Sequence, residues 1–193
     1  MKIIAGSLKG KNVAFKHSAA LRPTPAKVRE ALFNIIRDRV RDSSFADLYA
    51  GSGAVGFEAL SRGARSVVFV DIDRHAIDDI KKHTVFYDNP LNAAICSDAV
   101  AFACKFAHDT LHGRPQAPFD IVFADAPYNS GEIERLLPAL GDSSVFSENA
   151  VAIIEHSSRQ VMPASTGSLV LLKTYKYGDT SLSVYSYTCP HDY

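Results

Sequence analysis

The chain alternates between two hydrophobic periods, which predicts strands and helices in turn. Short apolar runs typical of buried strands occupy residues 45–49, 66–70, 93–96, 119–124 and 150–155. Stretches with helical spacing fall between them, at residues 74–85, 99–108 and 132–140. Two more strands are expected at residues 169–175 and 180–187. This alternation indicates an α/β fold.

The first 43 residues carry a separate pattern. Residues 2–5 and 11–15 flank a glycine-bounded stretch at residues 6–10, which predicts a hairpin with a basic tip. Thr24 is then placed to cap a helix whose first residue is Pro25. Apolar residues recur at helical spacing after it, at Val28, Leu32, Ile35, Ile36 and Val40. We expect this helix to pack on the main domain through that apolar face.

A glycine-rich stretch after the strand at residues 45–49 is the strongest functional signal. Gly51, Gly53 and Gly56 fit G-x-G-x-x-G, in which glycines let a ligand approach backbone N–H groups at the start of a helix. The next strand leads into Asp71, twenty positions after Gly51, where a carboxylate can accept the hydroxyls of a ribose. The stretch therefore predicts a nucleotide-like ligand.

Asp47 bears on which nucleotide binds, because both dinucleotides and S-adenosylmethionine use such a loop. Its side chain is expected close beneath the loop, where a carboxylate would repel a pyrophosphate and attract a cationic amino group. The loop amides would then receive the carboxylate of the ligand. A second interpretation stays open, in which Asp47 only caps or solvates the end of a strand.

Two further acids end predicted strands, at the edge where open parallel sheets bind ligands. Asp98 can accept a hydrogen bond from an adenine amino group, cap the helix that follows, or do both. An enzyme that alkylates an exocyclic purine amine needs acceptors for its N–H bonds, a rigid turn and an aromatic face for the base. Asp125, Ala126, Pro127 and Tyr128 can supply these in one stretch. An ordinary Asp-Pro turn with a packed tyrosine is the alternative.

Composition limits the class of protein. With 193 residues and 47% hydrophobic content, the chain can bury a full core in one domain. Its three cysteines are too scattered for a disulfide framework or a zinc ribbon, and His108 and His112 lack a third metal ligand. No apolar run approaches a membrane span, and residues 1–6 are too short for a signal peptide. We expect a soluble cytoplasmic protein that binds no metal.

The net charge of zero conceals a division. Residues 1–43 carry ten Lys and Arg against three acids, a net charge of +7, so the other 150 residues carry −7. A basic segment on an acidic body is typical of a surface that meets nucleic-acid phosphates, and an accidental bias is the alternative. The candidate RNA-binding residues are Lys9, Lys11, Lys16, Arg22, Lys27 and Arg29. Residues 173–177 interleave lysines with tyrosines, which fits RNA contact and a polar sheet edge equally well.

Several of these segments together resemble one family. They lie at residues 3–6 and 9–10, 21–24, 28–34, 47–63, 120–128 and 177–180. Through nearly its whole length the chain is similar to the RsmD family of small-subunit ribosomal RNA guanine-N2 methyltransferases. The most specific match is Arg-Pro-Thr followed by Val-Arg-Glu-Ala-Leu-Phe-Asn, at residues 22–24 and 28–34. The family's fourth motif normally reads Asp-Pro-Pro with Tyr or Phe, whereas here Ala126 replaces the first proline. Activity is expected to survive this change.

The resemblance implies a Rossmann-like class I methyltransferase fold with a seven-stranded, mostly parallel sheet and one antiparallel strand. It implies a methyltransferase domain at residues 44–193 and a basic hairpin–helix extension at residues 1–43 that contacts RNA. The implied cofactor is S-adenosylmethionine, held by Asp47, Gly51, Ser52, Gly53, Asp71, Ile72, Asp98, Ala99 and Asp125. The implied catalytic residues are Asp125, Pro127 and Tyr128. The implied partner is 16S ribosomal RNA or the assembling small subunit, and the protein is expected to act as a monomer.

Three other functions stay open. An NAD-dependent oxidoreductase would share the glycine loop and Asp71, but it leaves the basic segment and the stretch at residues 125–128 without a task. An RNA-binding module without catalysis would keep the basic segment, and Ala126 in place of a proline would then account for the loss of catalysis. Adenine-N6 methylation of nucleic acid shares the fourth motif, and only the family resemblance disfavours it.

Overall fold

A computed structural model describes residues 1–13, 25–84, 89–111, 117–142 and 144–188. The chain divides into two compact units, residues 1–97 and 98–193. The α-helices of the described residues are α1 (Ala26–Ile36), α2 (Ala54–Ser61), α3 (Arg74–Thr84), α4 (Ala99–Leu111) and α5 (Glu132–Gly141). The strands are β1 (Ser44–Leu48), β2 (Ser66–Asp71), β3 (Ala93–Cys96), β4 (Phe119–Asp125), β5 (Phe146–Ser157), β6 (Ser165–Thr166), β7 (Leu169–Tyr177) and β8 (Thr180–Tyr187).

Strands β3, β2 and β1 lie side by side in the first unit and run parallel. All of β1 is buried, including its polar residues Ser44 and Asp47. Helix α2 packs closely on β2, because Phe57 and Phe69 approach with ring centroids 5.0 Å apart. A Cβ atom at Gly56 would come within 2.2 Å of the Phe69 ring, so a glycine is needed here for the packing. The last glycine of the motif therefore sets the approach of helix to strand.

The N-terminal hairpin is confirmed in its described part. The Ile3 and Lys11 main chains pair through an N–H···O bond of 3.0 Å, and Val13 N–H donates to the Met1 carbonyl at 2.8 Å. The carboxylate of Glu58 in α2 accepts the main-chain N–H groups of Ile4 and Ala5 at 2.8 and 2.9 Å, which fastens the hairpin to the helix. The hairpin thus belongs to the same compact unit as β1 to β3. The proposed functional boundary after residue 43 stays a prediction.

Helix α1 is shorter than its apolar repeat suggested. It begins at Ala26, after Pro25, whose carbonyl accepts the N–H of Val28 at 2.9 Å. The predicted cap Thr24 lies outside the described residues. Arg37 has a φ of 37°, which stops the α-helical ladder, and the chain continues to Val40 as a 3-10 helix. The predicted helix is therefore present in two pieces.

The second unit contains strands in the order β4-β5-β8-β7-β6. Strands β4 and β5 run parallel, and β8 is antiparallel to both β5 and β7. Phe106 of α4 packs against Phe119 at the start of β4, with ring centroids 5.5 Å apart. The apolar positions of α4 thus cover the sheet, as the helical spacing indicated.

The predicted strand count of seven is corrected to eight in the described residues. The added strand is β6, a two-residue edge strand antiparallel to β7, so two strands of the second unit, β6 and β8, run against β4, β5 and β7 instead of one. A Cβ atom at Gly141, the last residue of α5, would lie 2.2 Å from the Thr166 carbonyl oxygen. This close approach of helix to edge strand depends on a glycine rather than on an apolar run, so the hydrophobic pattern could not predict it. Within the described residues, every helix is too short or too polar to cross a membrane.

Candidate active site

The loop between β1 and α2 forms the first part of the site. Gly51 and Gly53 have φ values of 52° and 69°, a left-handed conformation in which a side chain would be strained. The Gly53 N–H donates to the Ala50 carbonyl at 2.6 Å and closes a tight turn. Helix α2 begins directly afterwards at Ala54, so the turn presents a helix N-terminus as the glycine spacing predicted.

Two carboxylates hold this loop from below and from the side. Asp47, only 2% exposed, accepts the N–H of Gly56 at 2.8 Å. Asp71, at the end of β2, accepts the N–H of Gly51 at 2.7 Å and that of Asp73 at 2.8 Å. The structure therefore brings Asp47, Asp71 and the loop glycines together. It also gives both acids a role in fixing the loop, beyond the roles toward a ligand that the sequence suggested.

The residues at the end of β2 fit an adenosyl ligand. Each oxygen of an ionised carboxylate has more than one acceptor position, so Asp71 can hold the loop and still accept ribose hydroxyls. Ile72 follows it with 74% of its surface exposed, which offers an apolar face to an adenine ring. Ser52, at the tip of the loop, is partly exposed. The donor and acceptor set thus suits a nucleoside with a polar tail.

Helix α4 of the second unit begins at Ala99, directly after Asp98. One carboxylate oxygen of Asp98 accepts the N–H of Ala101 at 2.9 Å, and the Asp98 carbonyl accepts the N–H of Phe102. Asp98 therefore caps the helix, which is one of the two roles expected of it. Its contact with an adenine amino group stays a prediction.

The stretch after β4 forms a well-defined turn in the second unit. Asp125 ends the strand and is partly exposed, Ala126 is buried, and Pro127 and Tyr128 are exposed. The Ser130 hydroxyl donates to the Pro127 carbonyl at 2.6 Å. This bond ties the turn across its base, so the chain has a source of stiffness where Ala126 stands in place of a proline.

Tyr128 is held by two side chains that the sequence analysis did not assign to the site. Its hydroxyl lies 2.9 Å from the Thr180 hydroxyl and donates to the Glu155 carboxyl over a longer 3.5 Å. The residue as a whole is 38% exposed. Burial raises the pKa of Tyr128 above its ordinary value, so the phenol stays protonated and able to donate. Tyr128 is thus anchored through its hydroxyl and still partly open to solvent.

Glu155 is the principal residue that sequence reasoning missed. It lies on β5 directly opposite Asp125 on β4 and is 2% exposed. Burial and the charge of Asp125 raise its pKa to about 8. Its second oxygen, Oε2, is buried and has no hydrogen-bond partner among the described residues. The available signal was a carboxylate at the end of an apolar strand, the same signal that marked Asp71 and Asp125.

The predicted RNA-binding residues separate into three groups. Lys9, Lys11 and Lys27 are exposed in the first unit. Lys16 and Arg22 lie outside the described residues. The third group is Arg29, which is buried.

Among the described residues, no group of three or more His, Cys, Asp or Glu side chains is arranged to hold a metal ion.

Arg29 requires a correction, because it is 4% exposed and cannot reach RNA from this position. Its guanidinium donates to the Lys2 carbonyl at 2.9 Å and lies 3.8 Å from the Glu58 carboxylate. Burial lowers the pKa of Arg29. Residues three, four and seven positions after it are the buried Leu32, Phe33 and Ile36, so helical spacing already placed Arg29 on the buried face. Its role is to join helix α1 to the hairpin and to α2.

Comparison with known proteins relates the chain to one family and to relatives named as ribosomal RNA methyltransferases. A family model described as "Conserved hypothetical protein 95" matches residues 1–186. "Putative rRNA methyltransferase YlbH" of Bacillus subtilis is 30% identical over 96% of this chain and 98% of its own length. "Ribosomal RNA small subunit methyltransferase D" of Haemophilus influenzae is 32% identical over 80% of this chain and 78% of its own length.

A solved structure supports the same relationship. "Putative methyltransferase yhhF" from Escherichia coli superposes with a TM-score of 0.81 at 27% identity, covering 98% of each chain. The fold is therefore the Rossmann-like methyltransferase fold that the family resemblance implied.

Proposed function

The chain belongs to the RsmD family, whose model is described as conserved hypothetical protein 95, and on that premise we propose that it methylates the exocyclic N2 amine of a guanine in 16S ribosomal RNA. The proposed methyl donor is S-adenosylmethionine. The substrate is proposed to be 16S RNA or the assembling small subunit, and the enzyme a cytoplasmic monomer. The names of the relatives support the RNA class, and the chemistry of the loops supports the amine.

The cofactor is assigned to the glycine loop and the residues around it. The loop amides would bind its carboxylate, Asp71 its ribose hydroxyls, and Ile72 the face of its adenine. Asp47 holds the first turn of α2, directly after the loop, through the Gly56 N–H. The further residues proposed to contact the cofactor are Ser52, Asp98, Ala99 and Asp125. When bound, S-adenosylmethionine supplies an electrophilic methyl group on a sulfonium, so transfer to an amine needs no covalent intermediate with the protein.

The target base is assigned to the turn after β4. The exocyclic amine of guanine is a weak nucleophile because its lone pair is delocalised into the ring, so positioning is the main task of the protein. Asp125 and the Ala126 carbonyl can accept its N–H bonds, and Asp125 or water can take the proton that the nitrogen releases. Pro127 and the Ser130–Pro127 bond fix the turn, and the exposed ring of Tyr128 stacks on the extruded base.

The single observation that carries this proposal is the anchoring of Tyr128. Its hydroxyl is fixed by Thr180 while the residue stays exposed, three positions after the acceptor that ends β4. An oxidoreductase has no use for this arrangement. A packed tyrosine in an ordinary turn would instead bury the face of its ring.

Methyl transfer to small subunits gives a direct test. Purified protein, tritiated S-adenosylmethionine and small subunits or naked 16S RNA from cells that lack the enzyme should give labelled RNA, and digestion should release N2-methylguanosine. Labelled N6-methyladenosine would overturn the guanine assignment. Binding of NAD in place of S-adenosylmethionine, measured by calorimetry, would overturn the enzyme class. Binding of both RNA and cofactor without transfer would favour the module that lacks catalysis.

A further inference from the structure

Strand β7 contains one extra residue relative to its partner β8. The pairing passes from Leu171 opposite Tyr185 directly to Lys173 opposite Val184, which leaves Leu172 as the added residue of a bulge. Because side chains alternate along a strand, an added residue moves every following side chain to the other face of the sheet. The bulge therefore determines which side chains of residues 173–177 lie on each face of the sheet.

Beyond the bulge, Lys173, Tyr175 and Tyr177 share one face of the second unit's sheet, and we call these three residues the tyrosine face. Thr174 and Lys176 point to the opposite face. Tyr175 and Tyr177 are partly exposed and Lys173 is exposed. The ammonium of Lys173 lies 4.8 Å from the centroid of the Tyr175 ring, a cation–π distance.

The tyrosine face adjoins the anchored Tyr128. Tyr177 lies directly opposite Thr180, whose hydroxyl is 2.9 Å from that of Tyr128. Tyr175 lies in the same cross-strand row as Glu155, the second partner of the Tyr128 hydroxyl. One side of this sheet thus carries the proposed base-stacking ring and, next to it, two more tyrosines with a lysine.

We propose that the tyrosine face binds the single-stranded nucleotides that flank the target base. The inference rests on the proposed function. It adds that the RNA next to the target base is single-stranded and that the tyrosine face binds it. Aromatic side chains on a sheet stack nucleobases, and a nearby lysine attracts the backbone phosphates. Alternate residues of a strand are about 7 Å apart, roughly twice the 3.4 Å rise of stacked bases in a duplex. Tyr175 and Tyr177 therefore suit bases that have been drawn apart.

The charges near the tyrosine face are compatible with RNA. Asp125 and Glu155 lie in the cross-strand row of Tyr175, and Asp179 lies in the turn between β7 and β8. Glu155 is protonated at neutral pH because its pKa is raised to about 8, which removes one of these negative charges. Lys173 stands on the same face and offsets another. The tyrosine face thus carries a cation for the phosphate and shares one side of the sheet with Asp125, the proposed acceptor for the amine.

The chain contains no tryptophan, so a single tryptophan can report on each face separately. In Tyr175→Trp the indole replaces a stacking ring, and in the control Lys176→Trp it stands one residue further along on the opposite face. A single-stranded oligoribonucleotide of mixed sequence should quench the fluorescence of Tyr175→Trp and leave that of Lys176→Trp unchanged. Equal quenching of both variants, or of neither, would overturn the inference. Quenching by duplex RNA as strong as that by the single strand would overturn its single-strand part.

Kinetics supply a second test that does not depend on the reporter. Replacing Tyr175 and Tyr177 with leucine should raise the KM for RNA about tenfold or more, while phenylalanine at both positions should keep the parental KM, because the ring is what stacks. The kcat at saturating RNA and the affinity for S-adenosylmethionine should stay unchanged. Lys173→Gln should lower the salt dependence of RNA binding, and Lys176→Gln should not.

These measurements separate the two proposals. If the parent methylates RNA while the leucine variant keeps the parental KM, the tyrosine face is not an RNA surface and the proposed function still stands. If the parent methylates no RNA, the proposed function has failed, and the inference that rests on it fails with it.

Discussion

Asp125 and Glu155 lie directly opposite each other on the parallel strands β4 and β5, and the two carboxyl groups differ in exposure. Asp125 is partly exposed, whereas Glu155 is 2% exposed and has one oxygen without a hydrogen-bond partner. Two negative charges this close are costly, so the buried group holds its proton. The pair therefore divides into one carboxylate that can accept a hydrogen bond from the substrate amine and one neutral acid that accepts a hydrogen bond from Tyr128.

The first prediction concerns stability and pH. Burial and Asp125 raise the pKa of Glu155 from 4.5 to about 8, so the folded protein binds this proton more tightly than the unfolded chain. The contribution of this proton to the free energy of unfolding is complete below pH 4.5. It falls as the pH rises from 4.5 to about 8 and is lost above that pH. Glu155→Gln should remove this dependence, which is on the order of a few kcal/mol. Urea unfolding of both proteins at about pH 5 and about pH 9 measures it. Parallel stability curves for the two proteins would contradict the buried-acid assignment.

The strands were predictable where the apolar pattern is continuous and were misjudged where polar residues interrupt it. Strand β3 has the predicted bounds, and β2 extends one residue further, to Asp71. Strand β5 begins at Phe146 instead of residue 150, because the pairing with β4 shifts register and Asn149 adopts a φ of 62°. The Ser147 hydroxyl donates to Asp120 of β4 at 2.6 Å, so a polar contact holds the extra length. The register shift and the polar contact do not produce a hydrophobic pattern in the sequence, so the start of β5 could not be predicted from it.

The second prediction concerns the cofactor. Asp71→Ala should weaken S-adenosylmethionine binding by on the order of 1–3 kcal/mol, because it removes hydrogen bonds to a charged group and frees the Gly51 N–H. Calorimetry measures the affinity. Asp78→Ala removes the same charge from an exposed position on α3 and serves as the control. If the two variants bind the cofactor equally well, Asp71 does not contact it.

The third prediction concerns the basic extension. Changing Lys9, Lys11 and Lys27 to alanine should weaken RNA binding and flatten its salt dependence, by close to one unit of slope for each phosphate that no longer meets a lysine. Cofactor affinity should not change. The control replaces three exposed cations elsewhere with alanine and so makes the same change in net charge: Lys81, Lys105 and Arg159. Equal slopes in the two triple variants would mean that the charge division has no role in RNA binding.

The site was predictable as far as strand ends and glycine spacing reach. Asp71 and Asp125 each end an apolar strand, the position at which open parallel sheets bind ligands, and Asp47 precedes the glycine loop by a few residues. The functions of Glu58 and Arg29 did not follow. Glu58 is fully buried, accepts two main-chain N–H groups of the hairpin and pairs with Arg62 at 2.8 Å. A charged residue in an apolar helix was readable as a signal, but its partners in the hairpin are more than fifty positions away and only the fold brings them together.

The last prediction concerns the ring of Tyr128. The hydroxyl bonds Thr180 and Glu155, whereas the ring is assigned to stacking on the target base. Tyr128→Phe should therefore keep a substantial single-turnover rate on the same RNA, because the stacking face remains, and Tyr128→Ala should lose most of it. Thr180→Val removes the anchor and keeps the ring, so it should resemble Tyr128→Phe.

Asp125→Ala completes the comparison. It should lose most of the turnover and keep most of the cofactor affinity, because the carboxylate is assigned mainly to the substrate amine. Rapid-quench methylation at saturating RNA and cofactor isolates the chemical step from binding. A Tyr128→Ala rate equal to that of Tyr128→Phe would show that the ring does not hold the base. A near-parental rate for Asp125→Ala would show that the amine is held elsewhere, because this variant lacks the carboxylate that is assigned to it.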